Sequence, residues 1–292
     1  MLVELNNNNN KGIICIVIAV FCYAVMDGFI KHLSQHYNVI TISMFRYWFF
    51  AIFILLINSR KDVYLISIPL SKVRYIQILR SNILVFEVCL CHYCFLKIGL
   101  IQTSSLFAIG PLIVTALSVI FLKEKVGWKR WTAILLGFIG ILIILKPGIK
   151  DFDPYGLLAL FSAFLYAIYQ ILTRVVSRYD NTNTTLFYTG VTGAVVLSFI
   201  GPFFYVNVNS IDWVFILITC ILGLTAHFFI IKAFKFSEAS VLQPFNYLHL
   251  IFVTIIGIIV FDELLEPSIV LGASIVVFAG LYTYWRERKQ KI

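Results

Sequence analysis

The chain has 292 residues, of which 61% are hydrophobic and 13% charged, against roughly 45–50% and about 25% in ordinary soluble domains. So apolar a sequence cannot be covered by its own polar surface, which excludes the soluble catalytic folds. The net charge of +9 is no argument for a nucleic-acid partner, because the bases stand in clusters between apolar runs.

Residues 1–11 read as a disordered tail. Glu4 stands where a secretory signal would carry bases, and Asn6 to Asn10 is a low-complexity run that cannot build a core. The apolar segment that follows is longer than a signal core and has no Ala-x-Ala-like cleavage site, so it is read as the first helix of the protein. Cutting the rest at charges, Pro and Gly predicts helices over 12–32, 39–58, 73–96, 99–122, 129–146, 154–176, 184–204, 211–234, 238–261 and 267–285. Most approach or exceed the ~20 residues needed to cross a bilayer as helix. No connection is long enough for a soluble domain, and residues 287–292 form a basic C-terminal tail.

The cysteines, Cys15, Cys22, Cys89, Cys91, Cys94 and Cys220, all fall inside these spans, where they are read as apolar packing residues rather than a disulfide framework. Lys and Arg give the spans a direction. Lys11, Arg60, Lys61, Lys72, Arg74, Lys123, Lys125, Lys129, Arg130, Arg174, Arg178, Lys232, Lys235, Arg286, Arg288, Lys289 and Lys291 all stand on one side, and only Lys31, Lys97, Lys146 and Lys150 on the other. The basic side is cytoplasmic by the positive-inside rule, which predicts an inner-membrane protein with ten crossings and both termini in the cytoplasm. Trp128, Trp131, Trp213 and Trp285 fall at helix ends, as interfacial anchors do.

The chain also repeats itself. Leu122-Lys123-Glu124 closes the fourth helix and Phe261-Asp262-Glu263 the ninth, 139 residues later; Tyr23-Ala24 and Lys31 correspond to Tyr166-Ala167 and Arg174 with an offset of 143. Five helices taken twice, with five being odd, predicts an inverted-topology repeat over 12–150 and 151–286. Two near-equivalent halves of that kind close one side of a central site while opening the other. Glu124 and Glu263 serve as structural markers of equivalent helix ends, favourable near the start of a following helix.

Gly110-Pro111, Leu122-Lys123-Glu124 and the stretch Trp131 to Pro147, with Glu238-Ala239-Ser240 through Phe261-Asp262-Glu263 as the matching second half, resemble the EamA-type drug/metabolite transporter superfamily. Lys129-Arg130-Trp131 through Gly137-Phe138-Ile139-Gly140 to Lys150-Asp151-Phe152-Asp153-Pro154 also resembles its S-adenosylmethionine uptake branch. These are helix-end and packing motifs, so they bear on the fold more than on the cargo. The resemblance implies a ten-helix permease with no resident cofactor.

Candidate site residues follow from depth. Glu87 stands near the middle of the third span, about ten residues or roughly 15 Å of rise from its outer end. A lone charge there costs at least about 2.5–3.5 kcal/mol, so the carboxylate is a substrate or proton site, or else an ion-pair partner of Arg80 or Arg46. Asp27 and Arg46 have matched depths near the outer ends of helices one and two, which predicts a helix-pinning or gating pair. His92 and His227 occupy corresponding third and eighth helices; His249 lies in the ninth near Asn246 and Tyr247, and each can meet cargo or hold a proton. Cys91 and Cys94 share the face of Glu87, four and seven residues on. Cys89 points about 160° from Cys91, so the run from Cys89 to Cys94 does not make one compact metal site. Pro111 and Pro244 are expected to kink the fourth and ninth helices. Gly137-x-x-Gly140 and Gly190-x-x-Gly193 have helix-packing rather than phosphate-loop spacing, and no Walker motif is present.

The function expected is secondary transport of a small organic metabolite, S-adenosylmethionine or another amine-bearing compound, by alternating access. An ion or substrate gradient supplies the energy. The partners expected are that small molecule and the bilayer, with room for a homodimer and no role for nucleic acid. Export of amino acids or drugs is the alternative on the same fold. A membrane-embedded enzyme using His92, Glu87 and the thiols is the alternative of another class, disfavoured because the sequence offers no recognisable nucleophile and base spacing.

Overall fold

The computed structural model describes residues 8–59, 71–122, 128–146, 153–237 and 239–290. Glu124, Glu238 and the basic positions Arg60, Lys61, Lys123, Lys125, Lys150 and Lys291 lie outside the described residues. The described chain is helical throughout: α1 (Asn9–Ser34), α2 (Val39–Ser59), α3 (Arg74–Ile98), α4 (Leu100–Phe107), α5 (Gly110–Leu122), α6 (Trp128–Leu145), α7 (Tyr155–Val176), α8 (Thr182–Ile200), a 3-10 turn (Gly201–Phe204), α9 (Ser210–Phe236), α10 (Ala239–Phe261) and α11 (Pro267–Gln290). Taking α4 and α5 as one span, eight spans among the described residues are long and apolar enough to cross a bilayer, and 131–145 and 267–282 are shorter apolar helices. Exposed Phe, Leu and Ile side chains around the outside suit a surface solvated by lipid.

Local chemistry sets the helix ends. The Asn8 side chain accepts from Lys11 N at 3.2 Å and the Asn181 side chain from Thr184 N at 2.8 Å, capping α1 and α8. Helix α1 therefore begins inside the expected tail, at Asn9, and α11 likewise runs on past 287 to Gln290. The fourth span differs from expectation more deeply. Instead of a kink at Pro111, the helix stops at Phe107 and restarts at Gly110, with Leu112 N and Ile113 N both turning to Ile109 O at 2.9 and 3.0 Å. Pro111 has no N–H to give to Phe107 O, and its ring would clash with that carbonyl in a continuous helix; as the second residue of α5 it costs nothing. Pro244 is different, standing within an unbroken α10.

Glu263 is the hub of one end of the bundle. Its carboxylate accepts from Leu100 N and Ile101 N, each at 2.7 Å, and pairs with Lys31. The motif acid thus caps a helix start, as charge and macrodipole favour, but the helix is α4 and not the following α11. Gly99, at φ +82°, makes the turn into α4, and a Cβ there would meet the Glu263 carboxylate at 2.8 Å.

Helix α1 packs on α9 and α10, α3 on α7 and α8, α2 on α8 and α9, and α6 on α11. Exchanging each of the first five spans for its counterpart among the last five carries α1 on α9 into α7 on α3, carries α2 on α9 into α8 on α3, and leaves α2 on α8 and α6 on α11 unchanged. The two glycine motifs are close-packing positions. A Cβ on Gly140 would lie 2.6 Å from Gly272 O across the α6 and α11 contact, and one on Gly193 would lie 2.1 Å from the Tyr47 ring across α2 and α8.

Candidate functional site

Helix α3 carries one wall of a central cavity. Leu84, Glu87, Val88, Cys91, His92 and Phe95 line it, the spacing of a single helix face. About 120 Å³ of the cavity is open to the centre of a water-sized sphere, many times the ~10–15 Å³ that one water needs on that measure. The deep carboxylate of Glu87 therefore faces a space large enough for water, which is how an intramembrane acid becomes tolerable. It is 4% exposed, and Ser162 Oγ of α7 lies 3.3 Å from its carboxylate and 3.1 Å from its main-chain carbonyl. The neighbouring thiols face different surroundings. Cys91 lines the cavity, whereas Cys94 lies in a separate apolar cluster with its Sγ 4.0 Å from Tyr155 O, and Cys89 packs beside Met44 and Tyr47.

Asp27 of α1 and Arg46 of α2 both line the cavity, but they do not pair. Asp27 Oδ2 lies 3.0 Å from His249 Nε2 of α10. Arg46 turns to Met26 Sδ at 3.0 Å and His92 Nε2 at 3.5 Å. Matched depth was an insufficient guide, because α10 brings a competing base against α1. Arg80 is corrected too. It is fully buried away from the cavity, where it donates to Thr173 Oγ1, Gln77 Oε1, Thr185 O and Thr189 Oγ1 at 3.3, 3.2, 3.1 and 2.6 Å. Two helical turns separate it from Glu87, so it fastens α3 to α7 and α8 through neutral oxygens instead of neutralising that acid.

The remaining expected residues converge on the cavity. His227 Nδ1 lies 2.9 Å from Tyr23 OH, Asn246 Nδ2 donates to Gln243 Oε1 at 2.8 Å, and Tyr247 and His249 complete the α10 wall. Among the described residues, four buried polar atoms of the lining have no hydrogen-bond partner: Arg46 Nε, His92 Nδ1, Ser104 Oγ and Tyr247 OH. Unanswered donors and acceptors in a cavity wall are the groups a bound solute would satisfy.

Tyr23, Tyr166, Gln170, Ser104 and Phe107 also line the cavity and were not expected there. The signal for several of them lay in the repeat. The 143-residue offset that matches Tyr23 to Tyr166 also carries Asp27 onto Gln170. The 139-residue offset carries Phe107, Ala108, Gly110 and Pro111 onto Asn246, Tyr247, His249 and Leu250, and all of these line the cavity. The two halves therefore contribute equivalent positions but different chemistry: the broken α4 and α5 supply bare, mostly apolar wall, and α10 supplies polar side chains.

A multi-span helical protein with a charge-lined chamber at its centre has the form of a small-molecule transporter. The chain matches the EamA-like transporter family over residues 10–146 and again over 154–285, and it belongs to that family. It is 27% identical over 283 residues to the S-adenosylmethionine uptake transporter of Rickettsia prowazekii, covering 96% of this chain and 94% of that one. It is 32% identical over 203 residues to the riboflavin transporter of Vibrio cholerae, covering 66% and 64%. It is 24% identical over 272 residues to the pseudopaline exporter CntI of Pseudomonas aeruginosa, covering 92% and 94%. A solved crystal structure superposes with a TM-score of 0.71 over 97% of this chain and 99% of that one at 11% identity, a likeness of fold alone.

Proposed function

We propose that the protein is a secondary transporter that carries a small, amine-bearing organic metabolite, S-adenosylmethionine foremost, across the inner membrane by alternating access, driven by an ion or cargo gradient, with both termini cytoplasmic. The observation that carries this reading is the cavity itself: one chamber built from equivalent positions of both halves and holding Asp27, Arg46 and Glu87 at membrane depth. Such charges are costly anywhere that neither water nor solute meets them. The two successive family matches, over 10–146 and 154–285, the 139- and 143-residue offsets in the lining, and the exchange-symmetric helix contacts support an inverted repeat. That arrangement lets one half rock against the other about a fixed site.

Full-length matches to S-adenosylmethionine uptake transporters support that cargo, and Glu87 and Asp27 suit its cationic groups. The relatives named as transporters support a permease as the reading, with a membrane-embedded enzyme as the alternative of another class. Intact cells expressing the protein should accumulate labelled S-adenosylmethionine above vector controls, and unlabelled S-adenosylmethionine should compete better than riboflavin. Accumulation of riboflavin alone, or of no member of a metabolite panel, would sink this cargo assignment.

A further inference from the structure

Among the described residues, the Arg46 guanidinium of the cavity wall hydrogen-bonds to no oxygen and forms no ion pair. Its side chain is 7% exposed; Nη2 rests against Met26 Sδ, Nη1 is at the limit of hydrogen bonding to His92 Nε2, and Nε has no partner. Neither neighbour is anionic. A thioether is a weak acceptor, and a ring nitrogen that receives a guanidinium N–H belongs to a neutral imidazole. That tautomer leaves His92 Nδ1 as a second unpartnered donor in the same wall. The cavity's two carboxylates are occupied elsewhere, Asp27 by His249 and Glu87 by Ser162, and among the described residues neither forms an ion pair with Arg46. Arg80 shows the contrast at its Nη atoms: its Nε is unpartnered like that of Arg46, but Nη1 and Nη2 donate to four oxygen acceptors.

A planar fork of donors that lines the chamber without an oxygen acceptor is built to receive a planar anion in two-point fashion. Two carboxylates in the same chamber weigh against a doubly charged phosphate and leave the singly charged carboxylate as the fitting group. We infer that Arg46 is the carboxylate receptor of the cavity and that the cargo class is a zwitterion, seated with its carboxylate on Arg46 and its cationic group toward Glu87. The inference deepens the transport reading, and depends on it only for what happens after binding.

The test is a titration of purified full-length protein in detergent with ligand pairs that differ only by a carboxylate: S-adenosylmethionine and its decarboxylated form, and a panel of free α-amino acids with the matching amines, alongside a phosphate monoester. Wild type is expected to bind the carboxylate member about tenfold or more tightly than its amine twin, the scale of one charge-assisted pair. Arg46→Gln should bring the ratio to within about threefold, while Arg46→Lys, which keeps the charge but loses the fork, should retain part of it. If Arg46→Gln does not fold, the wild-type ratio and Arg46→Lys decide. A ratio near one in wild type, a ratio untouched by substitution, preference for the phosphate monoester, or no carboxylate binding at all would overturn the inference. A clear ratio with another amino acid but no S-adenosylmethionine binding removes that cargo and keeps the inference. A clear ratio without uptake into vesicles overturns transport and likewise keeps it.

Discussion

Asp27 meets His249 across the chamber between α1 and α10, and this contact governs what charge substitutions do. Swapping Asp27→Arg with Arg46→Asp is expected to restore nothing, because the two do not touch. Asp27→Asn and His249→Gln should each lower uptake and be markedly non-additive together, which a double-mutant cycle in uptake rate would register. Additive losses would mean that the 3.0 Å contact has no role in the transport cycle. Glu87→Gln keeps the size and the hydrogen bond from Ser162 but removes the charge. It should cut uptake at least about tenfold while leaving the melting temperature near wild type. A variant that transports normally, or that fails to fold, would reduce Glu87 to a structural residue. That Glu87, His92, His227, Asn246, Tyr247 and His249 converge was legible from depth and residue type alone, since polar groups in an apolar span must face the interior. The partners were not legible: Asp27 with His249 and Arg46 with His92 depend on how α1, α2, α3 and α10 rotate about their axes.

Two elements carry specific structural claims. Glu263 holds the start of α4 and Lys31 of α1 together from the end of α10. Glu263→Ala strips two backbone donors of their cap and leaves a mostly buried ammonium unpaired, so thermal unfolding should show a loss of about 1–3 kcal/mol. Lys31→Met added to Glu263→Gln should recover part of that loss, and no recovery would show that the cap alone matters. The break between α4 and α5 is the second. Pro111→Ala returns a backbone N–H and removes the clash that separates the two segments. It is expected to leave stability unchanged or slightly raised and to slow uptake severalfold, and normal uptake would mean that the break does not shape the binding chamber. A proline announces a disturbed helix in any sequence, but whether it bends the helix, as in a kink, or parts it, as here, depends on what the neighbouring helices will fill. Pro244, in an intact α10, makes the same point from the other side.

At the scale of the molecule, the helix spans were readable to within a few residues because apolar runs interrupted by charge, Pro and Gly leave little freedom in a membrane. Two short motifs pointed to a repeat, the family matches twice in succession, over 10–146 and 154–285, and the same offsets, continued inward, would also have picked out Gln170 and Phe107. In a background lacking the native cysteines, Gln35→Cys and Asn207→Cys should react with an impermeant maleimide from outside intact cells, and Tyr179→Cys only after the membrane is opened; the reverse pattern would invert the topology. The central claim, that this chamber carries S-adenosylmethionine or a close zwitterionic relative across the membrane, is met most directly by counterflow in proteoliposomes of purified protein. Vesicles preloaded with unlabelled S-adenosylmethionine should take up labelled S-adenosylmethionine well above protein-free vesicles, with the signal lost in Glu87→Gln vesicles of equal protein content. Uptake no greater than in empty vesicles, or equal uptake by the Glu87→Gln protein, would contradict the account.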